Sequence, residues 1–201
     1  MQTQGPEPTG FSPADRQLLL DLARRSLAER AAGHTMVLNS AEFHARLKER
    51  KGCFVTLFKH GELRGCIGHV LPQMPLFEAV SHNACSAGFR DPRFEPVSAA
   101  EIDEIRIEIS ILSDLTPLEP GNPDHILAQL RPHIDGVLLK REGQMSTFLP
   151  QVWEAVPHKE EFLSKLSQKA GWDPDAWKGP EVLISVYQVA AFSEPKTDRA
   201  C

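Results

Sequence analysis

In the segment ELRGCIGH, residues 62–69, Arg64 and Cys66 stand two positions apart, with Gly65 between them and Gly68 just beyond. Read as a strand, the segment puts residues two apart on one face. Arg64 and Cys66 then project together, while Leu63 and Ile67 point the other way, inward. A guanidinium beside a thiol favours the thiolate, the form that acts as nucleophile and metal ligand. Glycine weakens a strand, so two of them demand a reason; lacking side chains, they let a ligand or a second segment approach the backbone. This chemistry makes Cys66 the candidate catalytic residue, a nucleophile or covalent acceptor, with Arg64, Gly65 and Gly68 as candidate ligand-binding positions. The competing reading is that Cys66 is one more buried small side chain, since free cysteine is among the most buried residue types.

Two other clusters carry possible chemistry. Cys66-x2-His69 and His82-x2-Cys85 are separated by twelve residues and match a tetrahedral zinc site in ligand count. Their order is not that of a familiar zinc finger, and His69 would have to turn back at the end of a strand; no metal is expected. The stretch FRDPRF holds Arg90, Asp91 and Arg93 within four residues, flanked by Phe89 and Phe94. It reads either as an anion-binding loop, with Asp91 and Arg93 in the ligand site, or as a solvated turn begun by Asp91-Pro92. No nucleophile-elbow, Walker or dinucleotide-binding pattern is present, and no cofactor is expected.

These residues need elements to position them. Ser12 and Asp15 form a capping pair around Pro13, Leu18, Leu19, Leu22 and Leu27 give an apolar side, and Gly33 ends the first helix. A second helix is expected from Ser40 to about Arg50, with Phe43 and Leu47 four apart. CFVTLFKHGELRGCIG reads as a hairpin turning at His60-Gly61. A third helix follows Pro75, and Ser98 with Glu101 caps a brief helical turn. IRIEISIL alternates strictly: Ile105, Ile107, Ile109 and Ile111 face in, Arg106, Glu108 and Ser110 face out. It should be a central or near-central strand beside the hairpin. Further on come a short helix near residues 126–130, a hairpin turning at Glu142-Gly143, a helical stretch from Pro150, and a helix carrying Phe162, Leu163 and Leu166 that ends near Gly171. VLISVYQVAAF closes the chain as one long strand. The order points to an α+β fold with an antiparallel sheet flanked by helices, in two closely packed lobes parted near residues 114–123.

The chain has 201 residues, 41% hydrophobic and 24% charged, with a net charge of −5. That is enough for one large domain or two small lobes. The charge disfavours general binding to nucleic acid or to an anionic membrane surface. No stretch approaches the roughly 18 apolar residues of a membrane span. The start does not read as a signal peptide, and four cysteines without one suit reduced thiols in a cytoplasmic protein. Residues 1–11 and 194–201 read as flexible tails around one domain, 12–193.

LRGCIG, DPRF, EISIL, FLPQVW and EEFLSKLSQKAG occur together in the order seen in the AMMECR domain family, whose prokaryotic members are called AmmeMemoRadiSam system protein A. The resemblance covers about residues 12–193. Its motifs fall on Leu63, Arg64, Gly65, Cys66, Ile67 and Gly68, on Asp91, Pro92, Arg93 and Phe94, and on Leu149, Pro150, Gln151, Val152 and Trp153. His69, His82 and Cys85 lie outside them, which counts against the zinc reading. Ser167 stands where relatives often carry cysteine. The resemblance implies two lobes of α+β structure. It also implies partners: a Memo-type protein, itself similar to extradiol ring-opening dioxygenases, and a radical S-adenosylmethionine enzyme. That company suggests the modification of a base, metabolite or lipid. The chain is then expected to be a substrate-binding or assembly component, the alternative being an enzyme that uses Cys66.

Overall fold

The expected cap starts the first helix, α1, Pro13–Ala31. The Ser12 N–H donates to the Asp15 carboxylate at 2.9 Å and the Asp15 N–H to Ser12 Oγ at 3.2 Å. Gly33 takes the left-handed conformation after the helix, and the His34 N–H returns to the Glu29 carbonyl at 2.9 Å. The computed structural model describes residues 10–195; the outer parts of both expected tails lie outside the described residues. Phe11 is buried in the core, and Glu194 is ion-paired with Arg24. The chain folds as two compact units, one of residues up to Leu112 and from Ala190, the other of residues 113–189.

In the first unit β1, Cys53–Lys59, and β2, Glu62–His69, form the hairpin, with His60 and Gly61 both at positive φ as a two-residue turn requires. β3, Ile105–Leu112, pairs antiparallel with the other edge of β1, and β8, Val189–Ser193, lies beyond it, giving the order β2-β1-β3-β8. α1 packs on β3 and on α2, Leu76–Phe89, which covers β1 and β2. Cys53, Val55 and Leu57 alternate into this core and meet Leu22, Leu27, Val80, Ile107 and Ile109. At about 25 cal/mol per Å² of apolar surface, each such side chain contributes about 1.5–3 kcal/mol.

The second unit has β4, Thr116–Pro117, β5, Gly136–Arg141, β6, Gln144–Phe148, and β7, Leu183–Tyr187, in the antiparallel order β4-β7-β5-β6. The helices α3, Pro123–Gln129, and α4, Lys159–Lys169, belong to the same unit. Trp153 is fully buried, stacks on Phe162 with ring centroids 3.6 Å apart, and donates from Nε1 to the Asp135 carbonyl at 2.7 Å. Among the described residues no helix is long and apolar enough to cross a membrane.

Several expectations are corrected. Residues 40–50 form no α-helix but two 3-10 turns, Ser40–Glu42 and Ala45–Lys48. Asn39 caps the first turn, and Phe43, stacked on Phe77 at 4.3 Å, is held extended between them. Tertiary anchoring of Phe43 and Leu47 overrides their helical spacing. Ser110 does not face solvent; it is buried across from Phe54. The final strand is two strands. At Gln188 the chain leaves β7 and enters β8, and Ser113 takes both backbone groups of Gln188, each at 2.9 Å.

Candidate functional site

The register of the first hairpin decides where the LRGCIG side chains go. Thr56 lies opposite Cys66 and Leu57 opposite Gly65, but Phe58 lies opposite Leu63, so Arg64 has no partner across the pair. This is a β-bulge, which adds one residue to β2 and breaks its alternation. Arg64 and Cys66 therefore do not form the expected pair. Leu63, expected to point inward, is 39% exposed. Ile67 does pack against the core.

Arg64 turns to Glu101, with Nε 3.2 Å from Oε1 and Nη2 3.3 Å from Oε2. Lys59 Nζ reaches the same carboxylate at 3.1 Å, and the Ser98 N–H donates to it at 3.0 Å. Arg64 foremost, with the Ser98 N–H, holds the Glu101 carboxyl down at about 2. Arg64 thus fastens the turn Ala99–Glu104 to the hairpin. Its remaining nitrogen, Nη1, is buried without a hydrogen-bond partner.

Asp91 makes the connection to Cys66. α2 returns the chain to β2, and Asp91 Oδ2 accepts the Cys66 N–H at 2.9 Å. Arg93 closes a fork on the same carboxylate, Nε to Oδ1 at 2.9 Å and Nη2 to Oδ2 at 2.7 Å, and its own N–H donates to Oδ1 at 3.1 Å. The Asp91 side chain is 2% exposed and that of Arg93 53% exposed. The Arg93 hydrogen bonds, helped by the Cys66 N–H, hold the Asp91 carboxyl well below the usual carboxylate range. Arg93 also stands within electrostatic reach of Cys66. Asp91 is a clasp with both oxygens engaged, and it fixes the orientation of the Arg93 guanidinium.

The glycines have packing reasons. A Cβ at Gly65 would collide with the Ala87 carbonyl of α2, and one at Gly68 with the Phe54 ring and the Cys53 carbonyl. Gly65 lets α2 lie against the hairpin, while Gly68 lets Phe54 cover the strand beside Cys66. Cys66 is half-buried on the sheet face away from the helices, and the Thr56 hydroxyl donates to its Sγ at 3.2 Å. Thr56 lies opposite Glu108 on its other side, so Cys66, Thr56 and Glu108 form a row across β2, β1 and β3. Arg106, on the same face, lies 4.5 Å from the Phe58 ring centroid and 3.8 Å from Glu108. Among the described residues Sγ of Cys66 has no hydrogen bond to a histidine or a carboxylate.

Thr56, Arg106 and Glu108 were not singled out from the sequence. The alternation of IRIEISIL did put Arg106 and Glu108 on the outer face, and only the pairing of β3 with β1 aligns that face with Cys66. His69 and His82 have ring centroids 6.3 Å apart, yet among the described residues no three His, Cys, Asp or Glu side chains gather as a metal site. Burial pushes the Cys53 thiol up to about 12 and raises that of Cys85. The FLPQVW motif lies in the second unit, where Pro150 opens the turn that buries Trp153. Ser167 is fully buried there, with its hydroxyl donating to the Leu163 carbonyl at 3.0 Å.

The AMMECR1 family model matches residues 20–192. A Methanothermobacter thermautotrophicus protein is 35% identical over 92% of this chain and 98% of its own length. A Methanocaldococcus jannaschii protein is 36% identical over 86% of each chain. Among solved structures, the crystal structure of an uncharacterized Pyrococcus horikoshii protein is similar with a TM-score of 0.78 and 32% identity, covering 88% of this chain and 90% of that one.

Proposed function

Because this chain belongs to the AMMECR1 family, we propose that it is a substrate-binding or assembly component of a cytoplasmic modification system, acting beside a Memo-type protein and a radical S-adenosylmethionine enzyme. The observation that carries the reading is the Asp91 clasp. It joins the DPRF loop to the LRGCIG strand and holds a half-exposed Arg93 beside Cys66. A fixed guanidinium recognises an anionic group with little ordering cost, since its carboxylate fork has already fixed the side chain. In this reading Arg93 and Cys66 meet the ligand, and Arg64, Gly65, Gly68 and Asp91 shape the strand and loop that present them.

The alternative, Cys66 as a nucleophile, has less support. A nucleophilic thiol needs a base or cation committed to it. Arg64 is committed to Glu101 and the Arg93 guanidinium to Asp91, and the hydrogen bond at Sγ comes from a threonine. The test is recovery of the tagged chain from its native host, with co-purifying proteins and small molecules read by mass spectrometry. A binding component keeps them in Cys66→Ser and loses them in Arg93→Ala. A covalent adduct on the Cys66 peptide, absent together with the retained molecules in Cys66→Ser, would overturn the reading in favour of the enzyme.

A further inference from the structure

The helix side of the first unit carries a cavity of about 510 Å³, between the end of α1, the segment after Gly33, and α2. That is the size of a small-molecule site. Its lining divides into two chemistries. Met36, Leu38, Met74 and Phe77 supply an apolar wall, and Arg30 and Arg90 stand at the same cavity. Methionine side chains are flexible and polarisable, so such a wall adapts to an apolar body of varied shape.

The arginines are the informative part. Arg30 lies in the last turn of α1 and Arg90 caps α2. Helix C-termini favour cations, which accounts for their place in the chain. It does not account for two guanidinium groups on one cavity with no carboxylate partner. Arg24, Arg64, Arg93, Arg106, Arg131 and Arg141 are each ion-paired, but among the described residues neither Arg30 nor Arg90 is. Arg30 rests 5.8 Å from the Phe89 ring centroid. Both act electrostatically on the same group, Cys85 in the cavity wall.

Four of the other polar groups in the lining, Ser26, Ser81, Cys85 and His34, are already paired. Ser26 and Ser81 share a hydroxyl–hydroxyl hydrogen bond of 2.7 Å, Cys85 Sγ donates to the Ser26 carbonyl at 3.4 Å, and His34 lies 3.1 Å from Glu29. His82 and Glu78 complete the titratable lining, so at neutral pH two arginines face one carboxylate. The unmatched chemistry is positive charge beside an apolar wall.

We propose that this cavity is a binding site for a small molecule that joins a carboxylate to an apolar body. The carboxylate lies between Arg30 and Arg90, where guanidinium groups donate planar, paired hydrogen bonds to it, and the body lies against Met36, Met74 and Phe77.

The full chain carries its own reporters. It has four methionines, of which Met36 and Met74 line the cavity and Met145 lies in the second unit. With methionine methyl groups labelled by carbon-13, the protein is titrated with octanoate, 4-phenylbutyrate and the uncharged octanol. The expected result is a saturable shift of Met36 and Met74 by at least one carboxylate, with Met145 unmoved. Octanol should bind at least tenfold more weakly. The double variant Arg30→Gln/Arg90→Gln should weaken the carboxylate tenfold or more, and its unliganded spectrum shows whether the fold is intact. Saturation by neither carboxylate, equal binding of octanol, or equal movement of Met145 overturns the proposal. So does a folded double variant that binds as the wild type does.

Discussion

The Asp91 carboxylate accepts the backbone N–H of Cys66 at 2.9 Å, across 25 residues of chain. One side chain thereby fixes the position of a strand and the orientation of Arg93. Asp91→Asn removes the charge that holds this fork and leaves the Cys66 N–H with a weaker acceptor. The expected cost at pH 7 is about 2 kcal/mol, in the range for a charge-assisted hydrogen bond at a buried group. The sign with pH follows from a carboxyl depressed in the folded state. Its contribution is complete above the unfolded pKa near 4 and is lost as pH falls towards the folded value. Urea unfolding should therefore show a gap between wild type and variant that is full at pH 7 and narrows below about pH 4. A gap that widens in acid would rule the clasp out.

Arg64→Met should raise the Glu101 carboxyl from about 2 towards its ordinary 4.5. The folded value is again the depressed one, so the stability Arg64 brings through Glu101 is present above pH 4.5 and disappears on the way down to about 2. Carbon-13 titration of the Glu101 side chain reads this directly. An unchanged titration would mean that Lys59 and Ser98 alone hold the charge.

Cys66 should be the fastest of the three internal thiols towards iodoacetamide. Cys53 is buried with its thiol pushed up to about 12, and burial also raises Cys85. Peptide mass spectrometry of native protein gives the order; Cys201, outside the described residues, is left out of the comparison. Since Arg64 is committed to Glu101, Arg64→Ala should leave the Cys66 rate within about twofold, a change of less than about half a kcal/mol in barrier. A rate that falls tenfold would restore the Arg64–Cys66 pairing that the bulge breaks.

Gly65→Ala should destabilise the protein by about 3 kcal/mol, because the new methyl meets the backbone carbonyl of Ala87, which can move only with α2. Gly61→Ala makes a useful contrast. Nothing lies within 4 Å of that position, and the cost is only the strain of its positive φ, about 1 kcal/mol. Thermal or urea unfolding of the two variants orders them. Equal losses would show that α2 does not press on the hairpin at Gly65.

The parts of the fold legible in the sequence are those set by neighbours in the chain. The Ser12–Asp15 and Ser98–Glu101 boxes span four residues, and the turns at His60-Gly61 and Glu142-Gly143 span two. The isoleucine alternation of β3 needed only the period of a strand. Where tertiary packing competed, local pattern lost. Phe43 and Leu47 have helical spacing but are anchored separately in the core, and the closing strand divides where Ser113 takes up the hydrogen bonds of Gln188.

By itself the sequence determined the α+β plan, both hairpins, and a motif order specific enough to indicate the family. It also marked Arg64, Cys66, Asp91 and Arg93 as residues to watch. What each of them does was decided only in three dimensions. A bulge of one residue sends Arg64 to Glu101 instead of to Cys66, and the return of α2 brings Asp91 to the Cys66 N–H. Side-chain direction in a strand reverses with a single-residue slip, and hydrogen-bond partners 25 or 37 residues apart are chosen by how helices and strands pack, not by spacing along the chain.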